Sequence, residues 1–362
     1  MRIATLLETL SCRHLTREES CAAFRHLMSG AWSEVEIAAL VAALKARGES
    51  PEEVAGAAFA LREAAVPFPR PDYAFADTCG TGGDGAGSFN ISTAVALLVA
   101  ELGIPVAKHG NRSVSSRCGS ADVLEAAGGR LDSPPDAARR ALDEIGICFL
   151  FAPAYHAGVR HATPVRKALG TRTIFNLLGP LANPSRPPLQ LMGVYDPALC
   201  VPLAKTLGML GAEVALVVHG SGLDEVALHG PTTAALWRDG QLAELELTPE
   251  EAGLNRRPID EIEGGTPESN LELLVKVLEG RGTPACLDTV ALNAGALAWV
   301  TRRAPTLARG VSAAREALAG GGAARRFNRW VELSHGALTN RRPNPRRPGS
   351  QEAGSLDPGP DA

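Results

Sequence analysis

Between Asp77 and Thr93 the chain reads Asp-Thr-Cys-Gly-Thr-Gly-Gly-Asp-Gly-Ala-Gly-Ser-Phe-Asn-Ile-Ser-Thr, with five glycines from Gly80 to Gly87. Asn90, Ser92 and Thr93 follow at the start of an apolar, helix-like run. Glycine opens backbone conformations closed to other residues and lets N–H groups approach an anion, and a helix N-terminus behind the loop adds a favourable dipole. A phosphorylated ligand is the expectation; the competing reading is a tight strand-to-helix connection. No Lys-Ser or Lys-Thr pair follows at P-loop spacing, and the glycines do not fit the dinucleotide fingerprint.

A second cluster, Lys108-His-Gly-Asn-Arg-Ser-Val-Ser-Ser116, follows the strand-like Ile104 to Ala107, with Gly119 and Ser120 opening the next helix. Lys108 offers charge, Asn111 a neutral donor and acceptor, and Ser115, Ser116 and Ser120 hydroxyls to phosphate or ribose oxygens. A polar turn with a helix cap would use the same residues, and His109 fits either a structural or an acid–base role. A third cluster runs from Phe151 to Arg166, whose guanidinium is suited to grip a carboxylate or to sit solvated on a helix. The fourth, Gly220-Ser-Gly-Leu-Asp-Glu225, sets two adjacent carboxylates after an apolar strand. Hard oxygen ligands of this kind attract magnesium, and a plain solvated acidic loop is the alternative.

The elements that must position these clusters are legible. Thr16-x-x-Glu19, Ser33-x-x-Glu36 and Ser50-Pro-Glu-Glu53 predict three capped helices within the first seventy residues, with Ile37, Leu40, Val41 and Leu44 at helical spacing. After the proline-rich break at 66–71, short apolar runs alternate with helical ones, the pattern of an α/β domain. Strands are predicted at 73–77, 104–107, 148–151, 189–195 and 214–219, and helices at 91–102, 121–127, 134–145 and 197–210. The Asp239-Gly240 pair predicts a hairpin. From about Arg341 onward apolar residues nearly vanish, so the segment 338–362 is expected to be a disordered tail.

At 362 residues the chain exceeds what one core usually serves, and a net charge of −4 argues against broad nucleic-acid or anionic-membrane binding. Seven cysteines without a C-x-x-C pair suit a reducing compartment. No signal-like or spanning segment is visible, which makes cytoplasmic localisation the expectation.

Taken in order and spacing, Gly80-Thr-Gly-Gly-Asp84, Asn90-Ile-Ser-Thr93, Lys108-His-Gly-Asn-Arg112, Gly119-Ser-Ala-Asp122, Arg166, Phe175-Asn-Leu-Leu-Gly-Pro-Leu181 and Gly222-Leu-Asp-Glu225 resemble the anthranilate phosphoribosyltransferase family of tryptophan synthesis, over roughly residues 1 to 337. The resemblance implies a nucleoside phosphorylase/phosphoribosyltransferase-like α/β fold: a small N-terminal helical domain (1–70, with a segment near 170–185 returning to it) and a larger α/β domain (71–337). It implies that Gly80, Gly83, Asp84, Ser88, Asn90, Ile91, Ser92, Thr93, Lys108, His109, Gly110, Asn111, Arg112, Ser113, Val114, Ser115, Ser116 and Ser120 hold phosphoribosyl pyrophosphate. Gly80, Asn111 and Arg166 would meet anthranilate, and Ser92, Asp224 and Glu225 would serve two Mg2+ ions per subunit of a homodimer. No residue is implied as an acid or base, the transfer depending on positioning and metal activation. Two places depart from the family: Ser88 replaces threonine, and His156-Ala-Gly-Val replaces His-Pro-Ala-Met on the wall near anthranilate. A pyrimidine nucleoside phosphorylase, which resembles the same fold, is the nearest alternative, and a noncatalytic nucleic-acid-binding relative a more distant one.

Overall fold

The computed structural model describes residues 1–113 and 117–335; Val114, Ser115 and Ser116, and residues 336–362 with the tail expected over 338–362, lie outside the described residues. Four helices come first: α1 (Ile3–Cys12), α2 (Arg17–Met28), α3 (Glu34–Arg47) and α4 (Pro51–Ala64). All three capping boxes form, with Thr16, Ser33 and Ser50 accepting from the N–H three residues on and the glutamates reaching back. Each satisfies two backbone donors that the helix itself cannot. At Gly56 the bundle closes tightly, since a Cβ there would lie 2.3 Å from the Arg17 carbonyl oxygen.

The rest of the chain builds a seven-stranded sheet: β1 (Ala76–Gly80), β2 (Val106–Gly110), β3 (Ile147–Phe151), β4 (Leu189–Gly193), β5 (Val214–His219), β6 (Thr232–Arg238) and β7 (Gln241–Leu247). Their order is β3-β2-β1-β4-β5-β6-β7, parallel through β5 and antiparallel beyond it. The chain moves outward from β1 to β3, then returns to place β4 on the other side of β1. A crevice therefore opens at the carboxyl ends of β1 and β4, where open α/β sheets receive ligands. Asp239 and Gly240, both at positive φ, turn the β6–β7 hairpin.

Around the sheet lie α5 (Ile91–Glu101), α6 (Ser120–Ala126), α7 (Pro135–Ile145), α8 (Ala152–Tyr155), α9 (Thr163–Leu169), α10 (Phe175–Leu181), α11 (Cys200–Met209), α12 (Pro267–Leu278), α13 (Pro284–Val300), α14 (Leu307–Ala319) and α15 (Gly322–Ser334). Strand β5 shows how the two cores divide. Leu216 and Val218 pack with α5 and α13, while Ala215 and Val217 pack with the N-terminal bundle, α10 and α11. That alternation is the two-residue period of a strand buried on both faces. Arg62 of α4 fastens the bundle to this side by donating to the carbonyls of Leu181 (2.7 Å) and Leu210 (3.1 Å).

Two strands start later than their apolar runs predict. Tyr73 is drawn away to donate to Asp143 at 2.5 Å under the Arg139 guanidinium, so β1 runs from Ala76 to Gly80 rather than over 73–77. Strand β2 extends through Lys108 and His109 because Thr78 and Asp77 accept their donors. The helix expected over 197–210 begins as a single 3-10 turn capped by Asp196.

Candidate active site

The glycine loop leaves β1 at Gly80 and ends at Asn90, the residue before α5. Gly82, Gly83, Gly85 and Gly87 all have φ between 64° and 80°, which side chains oppose, so their spacing is a backbone requirement. Opposite the loop stands the acidic segment after β5. Gly82 N–H donates to Asp224 Oδ2 at 2.8 Å, and Asp224 N–H donates to Asp84 Oδ2 at 3.1 Å. The first and fourth clusters of the sequence are thus hydrogen-bonded to each other across 140 residues.

Two strand-end glycines admit this contact. A Cβ on Gly80 would meet Asp224 Oδ2 at 2.4 Å, and one on Gly193, its register partner in β4, would meet the Asp224 carbonyl oxygen at 1.4 Å. Sequence reading singled out Gly80 but missed Gly193, whose only signal is a glycine closing an apolar strand.

Asp224 is half-buried and Glu225 is 8% exposed, so the two acids are no solvated loop. Burial, first of all, and the neighbouring charge of Asp84 push both carboxyls upward, Glu225 strongly because the charge of Asp224 adds to the effect there. Lys108, 3% exposed, is the counter-charge: its Nζ donates to the Thr78 carbonyl at 2.5 Å and to Ser92 Oγ at 3.1 Å, and its field favours ionised Asp77 and Glu225. Among the described residues no three His, Cys, Asp or Glu side chains form a closed metal site. Two hard carboxylates with surplus negative charge beside a phosphate-type loop nevertheless suit magnesium, which usually takes one or two carboxylates plus water and substrate phosphates.

Further residues hold this frame. The buried Asn293 of α13 clamps Val226 through both main-chain atoms, accepting from its N–H (2.8 Å) and donating to its carbonyl (3.0 Å). His219 donates from Nδ1 to the Val194 carbonyl at 2.8 Å and accepts Gly222 N–H at Nε2, at 3.1 Å. Asn270 of α12 donates to Asn90 Oδ1 at 2.9 Å. None stood out in the sequence, since an asparagine inside an apolar helix gives no hint of which loop it reaches. Ser88 pairs through its backbone with Glu263.

The second cluster divides. His109 is buried, its Nδ1–H donating to the Gly179 carbonyl at 3.2 Å and its ring 5.2 Å from that of His156; burial pushes it down to about 3 and His156 to about 4, so both are neutral. Asn111 is exposed, and its carbonyl accepts the Ser120 hydroxyl at 3.3 Å. Arg112 is paired with Asp122 and Glu125. Ser113 N–H donates to Asp122 at 3.0 Å, and a Cβ on Gly110 would strike Ser120 Oγ.

On α9, half-buried Arg166 sits 5.4 Å over the Phe175 ring and has no ion pair among the described residues, with burial lowering its pKa from the usual arginine value. A guanidinium has the planar fork of donors that a carboxylate pairs with through two parallel hydrogen bonds. In the altered wall, a Cβ on Gly158 would meet Met28 of the bundle at 2.8 Å, so the alanine usual in the family would crowd this methionine.

Residues 3–65 match the family described as "Glycosyl transferase family, helical bundle domain", and residues 72–324 the "Glycosyl transferase family, a/b domain". The anthranilate phosphoribosyltransferase of Sorangium cellulosum is 60% identical over 320 residues, spanning 88% of this chain and 92% of the relative. That of Aeromonas hydrophila is 52% identical over 321 residues, 89% and 94% of the two chains. The solved structure of the Thermus thermophilus enzyme is similar with a TM-score of 0.87 at 43% identity, covering 92% of this chain and 100% of the other. The Saccharomyces cerevisiae enzyme, solved in complex with phosphoribosyl pyrophosphate and Mg, has a TM-score of 0.84 at 25% identity, with 92% and 98% covered.

Proposed function

The chain belongs to the anthranilate phosphoribosyltransferase family and transfers the phosphoribosyl group of phosphoribosyl pyrophosphate to the amine of anthranilate in tryptophan biosynthesis, and from that premise we propose how its residues divide the work. The glycine loop from Gly80 to Ser88, with Asn90 to Thr93 and the 108–116 segment, receives phosphoribosyl pyrophosphate. Ser92, Asp224 and Glu225 hold two Mg2+ ions. Arg166 and Asn111, together with Gly80, meet anthranilate, and Arg166 orients it through its carboxylate. The observation that carries this reading is the hydrogen-bonded meeting of the glycine loop with the Asp224–Glu225 segment at the β1–β4 crevice.

In the reaction the amine nitrogen bonds to C1 of the ribose as the bond from C1 to the pyrophosphate oxygen breaks, and the amine then loses a proton. An aromatic amine is already neutral near pH 7, so placement of the two substrates can supply much of the acceleration without a strong base. Magnesium, when bound, neutralises charge developing on the departing pyrophosphate. Loop N–H groups do the same from fixed positions. The yeast enzyme's complexes with phosphoribosyl pyrophosphate and Mg, and with 4-fluoroanthranilate, support this assignment by analogy.

Steady-state kinetics test the division. Arg166→Ala is expected to raise KM for anthranilate about tenfold or more, as loss of a paired charge-assisted contact would, while KM for phosphoribosyl pyrophosphate stays near wild type. Asp224→Ala with Glu225→Ala is expected to lower magnesium-dependent kcat instead. Equal loss toward both substrates in either variant would contradict the assignment.

The homodimer formed through the helical bundle is proposed from the resemblance to the family. Among the described residues no helix is long and apolar enough to cross a membrane; the cytoplasmic site of action is proposed from the family's place in amino-acid biosynthesis.

A further inference from the structure

The glycine loop is gripped from a second side, away from the acids. Arg172, in the turn between α9 and α10, donates from its guanidinium to the Gly83 carbonyl and stacks 4.0 Å from the centroid of the Tyr195 ring. Tyr195 itself reaches the loop, its N–H donating to Thr81 Oγ1 at 3.1 Å. The turn carrying Arg172 is in turn held by the helical bundle: Lys45 of α3 donates to the Arg172 carbonyl at 2.7 Å and to Thr171 Oγ1 at 3.0 Å.

A peptide unit is planar, so fixing the Gly83 carbonyl also fixes the opposed N–H of Asp84. With glycines at 82, 83 and 85 the loop has little torsional resistance of its own, and an outside contact decides which way its donors face. We infer that Arg172 is a positioning residue that presets the phosphate loop, and that Lys45 in the helical bundle acts on the loop through it. The inference rests on the reading that this loop holds phosphoribosyl pyrophosphate. It also links the loop to α9, because Arg172 lies in the turn that directly follows the helix carrying Arg166.

The test is calorimetric binding of phosphoribosyl pyrophosphate with magnesium to the full-length protein, alongside KM for each substrate and thermal unfolding. Arg172→Ala is expected to weaken binding about tenfold, the effect of losing one charge-assisted hydrogen bond that preorganises a site, with anthranilate KM little changed. Arg172→Lys should recover part of the loss, since an ammonium can still donate to Gly83. Lys45→Met should weaken binding less, and Lys45→Met with Arg172→Ala should be no weaker than Arg172→Ala alone.

Gly83→Ala serves as the control, because φ of +75° there makes any side chain strained. If Gly83→Ala weakens binding while Arg172→Ala does not, the positioning role is wrong and the loop assignment stands. If neither weakens it, the loop assignment fails and takes the inference with it. Additive Lys45 and Arg172 effects, or equal losses toward both substrates, would also overturn the role.

Discussion

Lys108 carries the plainest lesson at the residue scale. Its type suggested a cation offered to substrate; in the structure its ammonium is buried between Thr78 and Ser92, and its charge also compensates Asp77 and Glu225. Lys108→Met keeps length and removes charge, stranding two buried carboxylates; denaturant unfolding should show a loss of about 3–5 kcal/mol. Stability within about 0.5 kcal/mol of wild type would show that the charges are relieved some other way. The His109–His156 pair gives a pH signature. Both rings titrate lower folded than unfolded, so their contribution is complete above about pH 6.5 and declines as acid reaches the unfolded rings first, continuing toward pH 4. Melting temperature should therefore fall over that window, and His109→Gln with His156→Gln should flatten the slope. The glycines, Asp224 and Arg166 were legible as types, whereas the direction of Lys108 was not, because it depends on which acids burial brings beside it.

At the scale of elements, the helices announced themselves through caps and the hairpin through Asp239-Gly240, since these signals act within a few residues. Strand ends did not. Strand β1 continues to Gly80 because two glycines, facing each other in register, let Asp224 lie across them. Gly193→Ala tests that geometry: the added methyl must push the Asp224 backbone away, and a displacement near ~1 Å is expected to cost about a hundredfold in kcat. Near-normal turnover in a folded Gly193→Ala protein would mean that the acidic loop tolerates displacement. The roles of Asn293 and Arg172 escaped sequence reading for a related reason, as each acts on a loop far away in the chain.

Across the whole molecule, the bundle, the α9–α10 region and one face of the sheet share a hydrophobic core, pinned by Arg62 and Lys45, while Leu223 and Val226, which flank the acidic pair, pack on the opposite face. From the family's division into a helical-bundle domain and an a/b domain, closure of the two domains is expected to accompany substrate binding. Small-angle scattering is expected to show a smaller radius of gyration with both substrates bound, and identical profiles would argue against a large closure. The most direct test of the account is anthranilate fluorescence followed in the purified protein with phosphoribosyl pyrophosphate while magnesium is titrated, in wild type and in Asp224→Ala with Glu225→Ala. Wild type is expected to consume anthranilate only when both are present, and the double variant to lose the magnesium response. Equal consumption without magnesium, or an unaltered magnesium response in the variant, would contradict it.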